Sequence, residues 1–258
     1  MSTNIPQAVR HLITEYRRFL RTTSRFLDDG LRRQFDEHLD GADLIVKGPF
    51  VTLSRDLAPG TALPDLVARG EAETGLLDLK WPFGDKPVYR HQERALALAR
   101  ACRSFVITTG TGSGKTEAFL LGVLDGILAR KRSGITGIQA VLLYPMNALA
   151  NDQLERLRRL TRGTGTDISF GLYTGDSDTA SKNLREAPAE TERVTRAQIR
   201  LNAPDILLTN YKQLEFLLVR HDDREMFTPA LRYLVLDELH SYRGALATEI
   251  ACLIRRLK

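Results

Sequence analysis

Val9, Leu12, Ile13, Tyr16, Phe19 and Leu20 recur at helical spacing, and Phe26, Leu27, Leu31, Phe35 and Leu39 prolong the same stripe. This pattern predicts helix over residues 5–39, interrupted at Asp28-Asp29-Gly30. Between residues 41 and 87 the texture changes. Gly48-Pro49, Pro59-Gly60, Pro64, Gly70, Gly75, Pro82, Gly84 and Pro87 cut the chain into short pieces, as in an irregular connector packed on a larger domain. After Pro87 two periodicities alternate. SFVITT (104–109), AVLLYP (140–145), ISFGLYT (168–174), DILLTN (205–210) and YLVLDE (233–238) are short, apolar and rich in β-branched residues. KTEAFLLGVLDGILARK (115–131), NALANDQLERLRRL (147–160) and YKQLEFLLVRH (211–221) instead repeat at helical spacing. Apolar strands separated by helices predict an α/β domain over residues 88–258, its parallel sheet covered by helices on both faces. The expected division is therefore a helical extension (1–40), a connector (41–87) and the α/β domain (88–258). Ligands of such sheets gather at the carboxyl ends of the strands.

Composition narrows the class. With 258 residues, 43% of them hydrophobic, the chain can bury one large core with an appended segment. The net charge of +5 is uneven: residues 1–80 carry 11 Lys/Arg against 12 Asp/Glu, and residues 81–258 carry 26 against 20. The excess lies with the α/β domain and suits a polyanionic partner, although a solvated basic surface would read the same way. Cys102 and Cys252 lie in apolar helical patterns far apart in sequence, which predicts buried thiols in a reducing compartment rather than a disulfide or a metal site. The N-terminal segment lacks the apolar core of a signal peptide, and no run reaches the ~20 apolar residues of a membrane span. The expectation is a cytoplasmic protein.

One stretch carries explicit chemistry. In TTGTGSGKTE (108–117) a strand-like run ends at Thr109, a glycine-rich turn follows, and a helix opens at Lys115. Gly110, Gly112 and Gly114, with Thr111 and Ser113 between them, let backbone amides converge on phosphate oxygens, and the helix adds its positive end. Lys115 would reach the β and γ phosphates of a nucleotide, and the Thr116 hydroxyl would bind Mg²⁺. The strict G-x-x-x-x-G-K-[ST] pattern is not met, because Thr109 stands in place of its first glycine. The second half of such a site is an acidic pair at the end of a buried strand, and YLVLDELH (233–240) supplies one. Asp237 would hold Mg²⁺, and Glu238 would orient or deprotonate the attacking water. His11, His38, His91 and His221 show no metal-ligand spacing, so no metal beyond Mg²⁺ is expected.

Asp-Glu-Leu-His after the glycine loop resembles the DEAD/DEAH box of superfamily 2 helicases, and further stretches follow in that family's order. VYRHQ (88–92) resembles the adenine-recognition motif, with Gln92 as base reader and Tyr89 as stacking partner. YPMNALANDQ (144–153) is similar to motif Ia, YTGD (173–176) to the Thr-Gly motif, and PDILLTNY (204–211) to motif Ib. DELHSYRGALATEIACLIRRL (237–257) is especially like the Hrq/MrfA branch of DNA helicases and related bacterial defence helicases. Motif Ia reads Pro-Met-Asn-Ala-Leu-Ala where DEAD-box RNA helicases typically have Pro-Thr-Arg-Glu-Leu-Ala, which favours DNA. The resemblance covers residues 81–258.

The resemblance implies an ATP- and Mg²⁺-dependent RecA-like lobe. Lys115, Asp237, Glu238 and His240 would be its catalytic residues, with His240 coupling the nucleotide to the nucleic-acid side; a hydrogen-bonded core histidine is the plainer alternative. Pro145, Asn147, Thr174, Gly175, Thr209 and Asn210 would touch the nucleic-acid backbone, small donors binding without base specificity. Trp81 and Phe83 read either as an aromatic platform near the adenine or as connector packing. A Ser-Ala-Thr motif and a second RecA-like lobe with its arginine finger do not occur before Lys258. The expectation is slow hydrolysis without a second lobe, supplied in trans or lost by truncation. The alternative reading is a catalytically silent nucleic-acid-binding or assembly module on the same fold.

Overall fold

The computed structural model describes residues 5–41, 56–110, 112–175 and 187–257. The chain forms two compact units, one ending at Asp56 and the other running from Leu57 to Lys258. The first contains helices α1 (Ile5–Thr23) and α2 (Asp29–Asp40). The expected break falls one turn earlier than Asp28-Asp29-Gly30. Asp28 is the N-cap of α2, its carboxylate accepting from Leu31 N at 2.8 Å, and Gly30 lies inside the helix. Arg21 bridges to Asp36 and Asp40 at 2.9 and 2.7 Å on an exposed surface, where such pairs contribute little.

In the second unit a five-stranded parallel sheet has the order β3-β2-β4-β1-β5. Its strands are β1 (Ala140–Tyr144), β2 (Phe170–Tyr173), β3 (Glu192–Arg193), β4 (Ile206–Asn210) and β5 (Tyr233–Leu236). The helices are α3 (Leu63–Ala68), α4 (Arg90–Arg100), α5 (Lys115–Arg132), α6 (Asn147–Thr161), α7 (Arg196–Leu201), α8 (Tyr211–Val219), α9 (His221–Arg224) and α10 (Ala245–Leu257). Strand alternation sorts the core into two layers. Ala140, Leu142 and Tyr144 face Leu121 and Leu124 of α5 and Leu154 and Leu157 of α6. Val141 and Leu143 face Ile199 of α7, Leu214 and Leu217 of α8 and Leu253 of α10. Both faces of the sheet are thus covered, as the apolar runs predict. Leu63, Leu66, Leu76 and Trp81 join the first layer. The Trp81 indole donates to Leu76 O at 2.9 Å and its ring stacks on Phe83, so this pair packs rather than forming an open platform.

Two expectations fail here. SFVITT is not a strand: residues 104–109 pair with no ladder, β5 is an edge strand, and Val106 is 69% exposed. β-branched composition marks a segment that fits a sheet, but only a partner edge makes it a strand. Nor are the cysteines buried. Both thiols are exposed, because Cys102 lies beyond the end of α4 in a left-handed turn (φ 55°) and Cys252 lies off the packed face of α10.

At the amino ends of the strands the Asp205 side chain, almost fully buried, is shared among the segments entering β1 and β2 and the end of α5. It accepts from Ser169 N and Oγ, both at 2.8 Å, from Gln139 Nε2 at 3.1 Å, and from Lys131 Nζ of α5 at 2.9 Å. On the far flank, Arg158 of α6 holds Glu192 of β3 through two hydrogen bonds of 2.6 Å, with both side chains buried. Removing one member of such a pair strands a charge in the core. Arg158→Met is expected to cost about 3–5 kcal/mol, read as the shift in a urea denaturation midpoint. Arg158→Met with Glu192→Leu should recover most of that loss, and a double variant no better than the single one would count against stranded charge as the cause.

Candidate functional site

Parallel pairing sends the ends of β1, β4 and β5 to one edge. Tyr144 is paired with Asn210, and Leu143 with Leu236, so Asp237 follows directly, its backbone N–H donating to Leu143 O at 3.1 Å. The glycine turn precedes α5. Gly112 and Gly114 take left-handed conformations, φ 75° and 74°, which glycine adopts without steric cost. Gly114 is the N-cap of α5 and offers no side chain to the first-turn amides, which are free to meet an anion. Among the described residues, chain neighbours aside, nothing lies within 4 Å of where a Cβ would stand on Gly110 or Gly112. Thr111 lies outside the described residues. Ser113 is buried, its hydroxyl 2.6 Å from Thr109 Oγ1. Lys115 is exposed and its ammonium donates to Thr109 O at 3.1 Å, spanning the turn. The Thr116 side chain is half-buried.

Gln92 is placed differently from a free base reader. It is buried, its Oε1 accepts from Tyr89 N at 2.8 Å, and its Nε2 donates to Gly114 O at 3.0 Å. The amide therefore holds the turn, with one N–H and one lone pair to spare. Tyr89 is 39% exposed and stacks on His91 with centroids 5.8 Å apart.

On the acidic side, Asp237 Oδ1 accepts from Glu238 N at 2.8 Å. Glu238 has φ 49°, a left-handed conformation uncommon for a non-glycine residue. Strain of this kind is concentrated at functional sites. His240 is exposed, its Nδ1 3.3 Å from Glu238 Oε2, so it is no core histidine. Two tyrosines near Asp237 were not singled out by sequence. Burial first, then the charge of Asp237, pushes the Tyr242 hydroxyl up to about 12. The same causes in the same order push Tyr144 higher still, against the pull of Arg156. Both stay neutral hydroxyls beside the carboxylate. Arg156 also donates to Glu117 in the first turn of α5. Tyr144 lies within a quoted motif, but nothing in the sequence pairs Arg156 with Glu117.

The second expected set is only partly at the surface. Asn147 opens α6, and its Oδ1 accepts from Asn210 Nδ2 at 2.7 Å; Asn210 in turn caps α8 by accepting from Gln213 N at 2.8 Å. Pro145 is half-buried beside exposed Met146, and Gly175 is exposed. Thr174 and Thr209 do not offer surface hydroxyls. Thr174 is buried, and buried Thr209 Oγ1 donates to Tyr173 O at 2.6 Å. Thr209 lies within β4 and Thr174 follows directly after β2, and both side chains are buried.

The residues present fit a magnesium nucleotide. The turn is open where side chains would fill it, Lys115 is accessible, and Thr116 and Asp237 supply the oxygen donors that Mg²⁺ takes. No cluster of three metal-ligating side chains occurs among the described residues. No helix of the described residues is long and apolar enough to cross a membrane.

Residues 89–258 match the family model for the DEAD/DEAH box helicase. Druantia protein DruE of Escherichia coli is 28% identical over 99% of this chain, which spans 19% of that protein. The ATP-dependent helicase YprA of Bacillus subtilis is 32% identical over 68% of this chain and 21% of its own length. The crystal structure of the DUF1998 helicase MrfA bound to DNA and AMPPNP is similar over 79% of this chain and 25% of that one, with 28% identity and a TM-score of 0.61. The chain thus spans about a fifth of the length of the curated relatives it matches.

The glycine turn yields a graded prediction. Gly112→Ala meets no neighbour and should lose roughly 1–2 kcal/mol from its left-handed conformation alone. Gly114→Ala should lose more, because its Cβ would also run into the Gln92 amide and stand 3.1 Å from Glu117 Oε2. Urea denaturation ranks the two; equal losses would mean that the Gln92 amide does not press on the turn.

Proposed function

The chain belongs to the DEAD/DEAH box helicase family, and from that premise we propose that it is the ATP- and DNA-binding first RecA-like lobe of a superfamily 2 helicase or translocase. The observation that carries this reading is the uncapped start of α5 behind two left-handed glycines, with Lys115 reaching across the turn. A phosphate entering there meets free backbone amides and the positive helix end. Lys115 then leaves Thr109 O for the phosphates. Bound Mg²⁺ would offset charge on the phosphate oxygens, with Thr116 and Asp237 holding it. Glu238, fixed by its left-handed backbone, would orient the attacking water. The spare N–H and lone pair of Gln92 would read the adenine edge.

DNA is the favoured polymer because the MrfA structures hold DNA and because motif Ia departs from the RNA-helicase pattern. Asn147, Asn210 and Gly175, with Pro145 shaping the turn, would contact its backbone. Such contacts bind without regard to sequence and weaken as salt rises. His240, 3.3 Å from Glu238 Oε2, would couple the nucleotide to the polymer. Turnover would need the arginine of a second lobe, a group that supplies about 10³–10⁵ in rate in phosphoryl transfer.

Two variants divide binding from turnover. Lys115→Ala should abolish MgATP binding in titration calorimetry, and unchanged affinity would remove the glycine turn from the nucleotide site. Glu238→Gln should bind MgATP as the parent does while losing at least ~100-fold in turnover once a second lobe is supplied. Full activity there would assign the base elsewhere. Steady-state hydrolysis by the chain alone, with single-stranded DNA and with Lys115→Ala as the control, tests the need for the second lobe. Lys115-dependent turnover at family rates would show that the chain completes its own site.

A further inference from the structure

Glu117 is an odd neighbour for a triphosphate. It lies two residues past Lys115 in the first turn of α5, is 8% exposed, and turns one carboxylate oxygen towards Gly114, 3.1 Å from where a Cβ would stand. A buried negative charge at that point opposes an anionic ligand. The arrangement is tolerable because Arg156 donates from α6 directly to the other carboxylate oxygen, Oε1. Arg156 also stands near Tyr144 at the end of β1. Its helix begins at Asn147, so the residue that neutralises Glu117 comes from the element expected to meet DNA.

We propose that Arg156 is a positioning residue for nucleotide binding: it is the counter-charge that lets Glu117 stand against the glycine turn, so that α6 must be seated for MgATP to bind tightly. The inference rests on the nucleotide-site reading above. Its electrostatic content has a definite sign. Taking away Arg156 leaves a buried, uncompensated carboxylate beside the glycine turn, the costly half of breaking such a pair. Taking away the charge of Glu117 leaves a partly exposed arginine, which water can solvate and which attracts phosphate. The two single substitutions should therefore not be equivalent, and removing both charges should undo most of the damage of removing Arg156.

The test is MgATP affinity by titration calorimetry on the full chain, each variant first checked for a cooperative denaturation transition. Arg156→Met should weaken MgATP by about tenfold or more, and MgADP, with less charge, by a smaller factor. Glu117→Gln should bind within about threefold of the parent or more tightly. The double variant should return to within about threefold. If Arg156→Met fails to fold, Arg156→Gln takes its place in the same comparison, and Arg156→Lys, which keeps the charge, should stay near the parent. A double variant as weak as Arg156→Met would overturn the proposal, because a packing defect is not relieved by deleting Glu117. Equal losses of MgATP and MgADP would overturn it too. Failure of the parent chain to bind MgATP would instead remove the nucleotide-site reading, and the proposal with it.

Discussion

Everything at the site hangs on the parallel pairing of β4, β1 and β5. Parallel strands must all enter at one edge and leave at the other, and the register Tyr144 to Asn210 and Leu143 to Leu236 fixes which residues leave together. Asp205 sets that register from the entering edge by binding the segments that lead into β1 and β2 and the end of α5. A slip of one residue would turn every strand side chain to the opposite layer. The two apolar layers thus act with Asp205 to hold the exit edge, where Asp237, Asn147 and Asn210 stand.

Charge is handled there by neighbours that stay neutral or arrive paired. Tyr144 and Tyr242 near Asp237 are uncharged hydroxyls, kept so by burial and by the carboxylate itself. Gln92 grips Gly114 with a dipole rather than a charge. The one anion within the turn, Glu117, is met by a guanidinium from another helix. A local reading of α5 would count Glu117 as an ordinary first-turn acid favourable to the helix dipole. In the fold it is also one end of a bridge between α5 and α6.

Much of this was legible because the relevant signals are local. The glycine turn, the opening of α5 at Lys115 and the acidic pair after β5 each occupy fewer than ten consecutive residues, and the near-continuous apolar runs at β1, β2, β4 and β5, separated by helices, predicted both covered faces. What escaped depends on partners. Residues 104–109 have the composition of a strand but lack a ladder, and the helical stripe that was extended through Cys102 stops before it. Thr174 and Thr209 look like donors in a motif, yet both are buried, and Thr209 spends its hydroxyl on Tyr173 O of the neighbouring strand. The bridge from Arg156 to Glu117 joins residues 39 apart that only tertiary packing brings together.

The outer side of β5 has a practical meaning for anyone handling the chain. Among the described residues no strand pairs with it there, so its free backbone groups form a template for any extended segment that comes near. In a concentrated sample the nearest such segment belongs to another copy. Pairing through that edge is opposed only weakly by the +5 net charge once salt screens it. Dilute storage at low ionic strength, or a fused strand that occupies the edge, follows as the sensible way to keep the chain monodisperse.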